Sequence, residues 1–360
     1  MARVRDVVSL GTRTPSKRAA VSPRIVGVDV ARGLAIVGMF VAHAVPRPDD
    51  VELLVDGRSS ILFATLAGVS LGIVTGQDQP LERGRRSDRV VSILLRAVCL
   101  FLLGGILAAL DSGVAVILDY YAFMFLLLTP VLFLPRWALA ALAAVIAVVA
   151  PMLAAVTDDR SEDKASLLDV LQYYLLDGVY PALIWMPFLL VGLIAARSGL
   201  RRRSTQVWMM IGGSTAAVLG YGAAWVIPGV SAEAHSGSTA EVLASGGVAI
   251  ALTGALLWLT ASERAGFGRA ARAVLWPVGA TGSMVLTVYT VQIVALAIFV
   301  ALREDSGGQI EYPGWPLLIG MTAASLVFAS LWRLWFGKGP LERLFTLVTT
   351  LPRRHERDSV

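Results

Sequence analysis

Cysteine, histidine and charge are all scarce in this chain of 360 residues. Cys99 is the single cysteine and lies in the apolar run 90–110, which excludes an intrachain disulfide and a cysteine metal site. Three histidines, His43, His235 and His355, are too few and too scattered for a histidine-only cluster, so no metal is expected. Charged residues make up 16% of the chain, where a soluble domain carries about a quarter. A Walker-type phosphate loop, the HExxH of zinc proteases and a serine nucleophile elbow are all missing. The net charge of +5 would suggest nucleic acid in a soluble protein, but no basic stripe with interleaved aromatics occurs and nucleic-acid binding is not expected.

What the chain does have is apolar length. Apolar residues make up 56% of it, and mean hydropathy is +0.70. Many apolar runs approach the ~20 residues that cross a bilayer as a helix. They do not alternate polar and apolar positions, so a membrane barrel is excluded. The expected fold is all-α: a polytopic membrane helical bundle of about ten transmembrane helices. The spans are expected near 27–46, 60–76, 90–110, 114–134, 137–156, 180–197, 206–227, 241–261, 274–301 and 315–336. The ninth run is long and is either one tilted helix or a helix broken near Gly279–Ser283.

Basic residues set the orientation. Of 31 Lys and Arg, only Arg47, Arg58, Arg160, Lys164 and Arg303 fall in the loops on one side, and Arg32, Arg96 and Arg333 lie within spans. The rest cluster on the other side, which predicts that both termini are cytosolic. Residues 1–23 read as a disordered basic cytosolic tail, with a retained first helix rather than a signal peptide. Residues 24–337 read as the transmembrane domain. Residues 338–360 read as a cytosolic amphipathic helix and tail: Gly339-Pro340 ends one helix and starts the next, with Leu341, Leu344, Phe345 and Val348 on one face. The outer segment 157–179 is rich in Asp and Glu and is expected to be a loop. Ala64, Gly68, Gly72 and Gly76 recur every fourth residue and are expected to admit another helix closely.

The first helix carries the most chemistry. Arg32 and His43 are eleven residues apart, which on a helix means about 20° from the same direction and about 16 Å along the axis. Asp29 lies within about 60° of both. Charges inside a membrane cost several kcal/mol unless they face protein or water, so this stripe should point into the bundle and border a hydrated cavity. Asp29 and Arg32 could equally form a local i,i+3 pair that eases insertion, and His43 could be an ordinary interfacial residue. On the functional reading, Arg32 holds an anionic group with Asp29 beside it, and His43 acts as a base or acyl carrier. Asp56 and Arg58 sit at the same membrane level as His43. Asp56 could orient the imidazole and Arg58 could bind an anionic acceptor, while Ser59 is a candidate N-cap. Further polar groups within spans are Asp119, Tyr120 and Tyr121 in the fourth helix, and Ser283, Thr287, Tyr289, Thr290 and Gln292 in the ninth. Asp119 needs a partner there. Snorkelling is the ordinary account of Arg96 and Arg333.

The Arg32-x10-His43 spacing resembles the motif of the acyltransferase-3 family within the transmembrane acyltransferase superfamily. The run Arg24…Asp29-x-x-Arg32-Gly33-Leu-Ala, with Phe63…Leu66-Ala-Gly68-Val-Ser70 downstream, is similar to heparan-α-glucosaminide N-acetyltransferase-like proteins. Thr287-x-Tyr289-x-x-Gln292 and Gly339-Pro340-Leu341-Glu342 resemble the YeiB-like family of bacterial membrane proteins. These resemblances imply an acyltransferase of the bacterial cytoplasmic membrane. It would take an acyl group, expected to be acetyl, from cytosolic acyl-CoA as co-substrate and pass it to an envelope saccharide or glycolipid on the other face. No permanently bound cofactor is implied. Arg32 would contact the CoA side and His43 would be catalytic, with Asp56 beside it. The resemblance supplies no motif for the acceptor side; as polar groups in or beside the spans, Arg58, Asp119, Tyr120, Tyr289 and Gln292 are the candidate acceptor-binding residues. A homodimer is the candidate assembly, and a small-metabolite or lipid transporter using the same polar face is the alternative.

Overall fold

Long apolar runs, broken by Gly, Pro and arginine clusters, become helices, and no strand occurs among the described residues. The computed structural model describes residues 24–45, 51–157, 166–261, 266–305 and 314–349. The expected tails at 1–23 and beyond 349 lie outside these residues, as do Arg47, Arg160 and Lys164. The order is α1 (Val26–Ala44), α2 (Arg58–Val74), α3 (Arg83–Ala108), α4 (Leu118–Leu128), α5 (Arg136–Thr157), α6 (Leu167–Gln172) and α7 (Ala182–Arg197). It continues with α8 (Arg203–Val226), α9 (Thr239–Thr260), α10 (Phe267–Val274), α11 (Trp276–Gly282), α12 (Val285–Asp305), α13 (Trp315–Trp335) and α14 (Pro340–Thr349).

Seven of these helices are long and apolar enough to cross a membrane, or eight if the 48° bend between the 167–177 segment and α7 lies within one broken span. The second and fourth expected spans appear as shorter apolar helices, Arg58–Val74 and Leu118–Val131. The protein is therefore a polytopic helical membrane protein. The ninth expected span is indeed broken: α11 ends at Gly282 and α12 starts at Val285. The expected loop at 157–179 is corrected in part. Ser166 and Asp169 form a capping box that starts α6, and a π-helical turn, Tyr173–Asp177, follows it. Helix-favouring leucines at 167, 168, 171, 175 and 176 outweigh the acidic residues that suggested a loop.

Helix α1 is the most enclosed span, with 61% of its membrane window buried, against 17% for each of α5, α8 and α13. It packs on α11 almost backbone to backbone. A methyl group built on Gly33 would collide with the Val278 carbonyl, and one on Gly282 with the Asp29 carbonyl. The small-residue stripe of α2 meets α7 as expected: Gly68 lies against the Leu189 backbone, Gly72 against Ala196, and Gly192 against Thr65. Gly76 is an exception. Its φ of +106° puts it in the turn after the helix, not in the seam.

The bundle has two distinct ends. At the first, Arg197 is only 6% exposed and ties three connections together. Its guanidinium donates to the Thr75 and Gln77 carbonyls (3.2 and 2.7 Å), the Thr75 hydroxyl (2.8 Å) and the Leu132 carbonyl (2.9 Å). Arg202 pairs with Asp78 at 2.8 Å at this same end. Arg24 and α14 both reach the break between α11 and α12, so the described chain starts and finishes at this arginine-rich end. His43 lies toward the opposite end.

Candidate active site

At the arginine-rich end, the acid and guanidinium of α1 are joined by neighbours from four other helices. Asp29 is 3% exposed. Its Oδ2 pairs with Arg24 Nε at 2.7 Å, while Arg32 Nη1 donates to Oδ1 at 3.4 Å. The local i,i+3 pair is therefore present, but the shorter partner comes from the residue preceding the helix. Arg32 also donates to the Ser70 hydroxyl of α2. Its side chain remains 24% exposed and lies within electrostatic range of Arg96 on α3 and Glu342 on α14. Arg96 stands over the Phe345 ring at 5.9 Å. Arg333 does not merely snorkel: it donates to the Gly279 carbonyl at 2.9 Å and lies 4.6 Å over Trp276. Arg24, Arg32, Arg96 and Arg333 thus surround two carboxylates, leaving an excess of positive charge suited to an anion.

Glu342 explains the Gly339-Pro340-Leu341-Glu342 motif. Its carboxylate accepts the Leu286 and Thr287 backbone N–H groups at 2.7 and 3.2 Å and the Thr287 hydroxyl at 2.6 Å. A side-chain carboxylate thereby caps the exposed N-terminus of α12, where the helix dipole favours negative charge. Phe345 of α14 is buried, whereas Leu344 and Val348 are exposed, so the expected apolar face is shared between the bundle and its surroundings.

With its start clamped, α12 presents Tyr289 and Gln292 about one and two turns further along, on the way toward His43. Gln292 Nε2 lies 2.8 Å from His43 Nδ1. The Tyr289 hydroxyl accepts the Ile117 N–H at 3.2 Å, just before α4. Tyr289 lies within electrostatic range of Asp119, Tyr121 and Tyr180. Asp119 finds its partner in Tyr174, whose hydroxyl donates to Oδ2 at 3.0 Å. Tyr120 packs at 5.0 Å from Tyr174 and 5.6 Å from Tyr180, and Tyr180 contacts Trp185 and His235 at 5.1 and 5.4 Å. Asp119 Oδ1, the Tyr121 hydroxyl and Gln292 Oε1 are buried without a hydrogen-bond partner. Unsatisfied buried polar atoms are rare and costly, and three in one neighbourhood set this cluster apart from the apolar packing around it.

The two ends are not joined by the continuous hydrated face expected from the sequence. Ile36 and Met39 occupy the stripe between Arg32 and His43 and are 0% and 2% exposed. Helical spacing puts these residues at i+4 and i+7 from Arg32, so the same periodicity that aligned the polar pair fills the interval with packed side chains.

The structure therefore brings together His43, Gln292, Tyr289, Asp119 and Tyr120 at one end, and Asp29 with Arg32 at the other. Asp56 Oδ2 accepts the Leu53 N–H at 2.7 Å and closes the turn before α2, and His43 Nδ1 is hydrogen-bonded to the Gln292 amide. Arg58 donates to the Tyr221 hydroxyl and pairs with Glu52, both at 2.7 Å, joining the 52–58 segment to α8. Ser59 is not the N-cap. That position is Gly57, and the Ser59 hydroxyl donates to the Val55 carbonyl at 2.9 Å. Sequence reasoning missed Arg24 as the closer partner of Asp29, and also Ser70, Tyr174 and Tyr180. Tyr174 was hidden in the supposed acidic loop, although its neighbour Tyr173 marked an aromatic pair there. Among the described residues, no group of three His, Cys, Asp or Glu could hold a metal ion.

Fold and site define a multi-pass helical membrane protein whose central helix carries a cation toward one end and an imidazole toward the other. A family model described as an acyltransferase domain matches residues 25–332, and the chain belongs to this acyltransferase-3 family. No curated protein matches the sequence. The chain is thus an acyltransferase of the membrane type, and the transporter alternative is not favoured.

Proposed function

We propose that the protein moves an acetyl group from cytosolic acetyl-CoA to a hydroxyl or amine of an envelope saccharide or glycolipid at the opposite face of the bacterial cytoplasmic membrane. What carries this reading is the Gln292–His43 contact at 2.8 Å beside a buried cluster with unsatisfied polar atoms. A hydrogen bond at one ring nitrogen fixes the orientation and the tautomer of an imidazole. When the Gln292 amide turns its oxygen toward Nδ1–H, the imidazole is held in the tautomer whose Nε2 carries no proton and can act as base. It takes the proton of the acceptor hydroxyl as the oxygen attacks the thioester carbonyl. The new C–O bond forms, the C–S bond breaks, and the CoA thiolate leaves and regains a proton.

On this reading Arg32, supported by Asp29, meets the phosphates of the donor, because guanidinium groups bind phosphate in a bidentate manner. Tyr120, Tyr289 and Asp119 contact the acceptor, with Arg58 at its rim and Asp56 stabilising the turn beside it. The donor's tail must displace Ile36 and Met39 to bring its thioester to His43, so catalysis requires a local opening of this interval. The test uses purified protein, acetyl-CoA labelled in the acetyl group and an envelope glycolipid extract. Label should pass to the glycolipid fraction with release of CoA, and His43→Ala should abolish both while the protein keeps its fold. Equal transfer by His43→Ala would refute the reading.

A further inference from the structure

A groove of about 740 Å³ runs between α5, α7, α8 and α9, away from the Arg32–His43 helix. Its volume lies within the range of about 300–1,000 Å³ typical of small-molecule sites. One mouth is polar, with Arg136, Ser198, Arg202 and Ser204 at the arginine-rich end. From there the walls become apolar and short-chained: Ala140, Ala144 and Ala147 on α5 face Gly212 on α8 and Gly246 on α9. The wall from Arg136 to Ala147 spans eleven residues, or about 16 Å. That is about half of the ~30 Å hydrocarbon core, the depth of one leaflet.

The mouth carries unbalanced positive charge. Arg202 is neutralised by Asp78 at 2.8 Å. Arg136 is exposed and meets only the Ser198 hydroxyl at 3.5 Å, with no carboxylate partner among the described residues. Trp208, 71% exposed, borders the same region, where an indole suits the membrane–water boundary. A cation and hydroxyls at headgroup level above a leaflet-deep apolar slot match one class of molecule in charge and in length.

We propose that this groove holds one anionic glycerophospholipid of the leaflet at the arginine-rich end, with its phosphate at Arg136 and Ser198 and one acyl chain between α5 and α8. The lipid is a resident of the fold, separate from the acyl-transfer site.

The test is native mass spectrometry of the full-length protein released from mixed vesicles of phosphatidylglycerol and phosphatidylcholine. One retained phosphatidylglycerol is expected. Arg136→Gln should lower the preference for phosphatidylglycerol about fivefold, as loss of one interfacial cation implies. Ala144→Phe places a ring in the open groove and should abolish retention, with the thermal midpoint of the parent kept as the control for folding. No retained lipid, equal retention of both lipids by the parent, or retention by a folded Ala144→Phe would each overturn the proposal. None of these outcomes depends on whether acyl transfer occurs.

Discussion

Replacing Gln292 with Leu isolates the bond on which the proposed chemistry turns. Gln292 is 2% exposed, its Nε2 lies 2.8 Å from His43 Nδ1, and its Oε1 has no partner. Leucine has a similar volume, so packing against α1 survives. Removing the amide also removes an unsatisfied buried oxygen, so the net stability change should stay within about 1 kcal/mol. The imidazole, however, loses its tether. A buried hydrogen-bonding group left unmade costs about 1–3 kcal/mol, which lowers the fraction of correctly oriented, correctly protonated His43 by about 5- to 150-fold. This loss should fall on kcat, because Arg32, the proposed donor contact, lies about 16 Å away along α1. Gln292→Glu should recover part of the rate, since a carboxylate accepts from Nδ1–H and fixes the same tautomer. The assay is steady-state acetyl-CoA hydrolysis or transfer by protein in detergent, with thermal midpoints as a check on folding. A folded Gln292→Leu protein with unchanged kcat would refute the assignment of Gln292 as the residue that positions His43.

Other substitutions probe other parts of the account. Glu342→Ala frees two backbone N–H groups and a hydroxyl at the start of α12, and should cost about 2–4 kcal/mol in a denaturant or thermal unfolding series; an unchanged midpoint would show the cap to be dispensable. Arg32→Gln should raise KM for acetyl-CoA about tenfold, the loss expected for one charge-assisted contact to phosphate, and an unchanged KM would move the donor site elsewhere. Met39→Ala should cost about 2–5 kcal/mol of stability yet speed acetyl-CoA hydrolysis by loosening the packed interval, and a slower reaction would contradict the need for opening there.

Much of this fold could be read from apolar run length, whereas the break after α11 was one of two readings that a long run allowed. The Arg32–His43 stripe followed from helical periodicity alone. The same rule placed Ile36 and Met39 on that stripe, but burial of those side chains depends on helices distant in sequence, which periodicity does not encode. Gln292 was visible as a polar residue in a membrane helix, yet its partner was not, because 249 residues separate it from His43. Glu342 shows the same limit: the motif announced a helix start, while its role as a cap for another helix required the tertiary fold. Asp119 was expected to need a partner, and Tyr174 supplies it from a segment whose acidic composition masked a short helix.

The central claim is that one reaction spans the two ends of α1. Proteoliposomes with acetyl-CoA labelled in the acetyl group supplied only outside measure this directly, with water as the acceptor. Molecules whose arginine-rich end faces outward should leave CoA outside and deliver labelled acetate to the lumen, and His43→Ala should stop the delivery. Labelled acetate appearing only outside, or reaching the lumen undiminished in His43→Ala, would contradict the account.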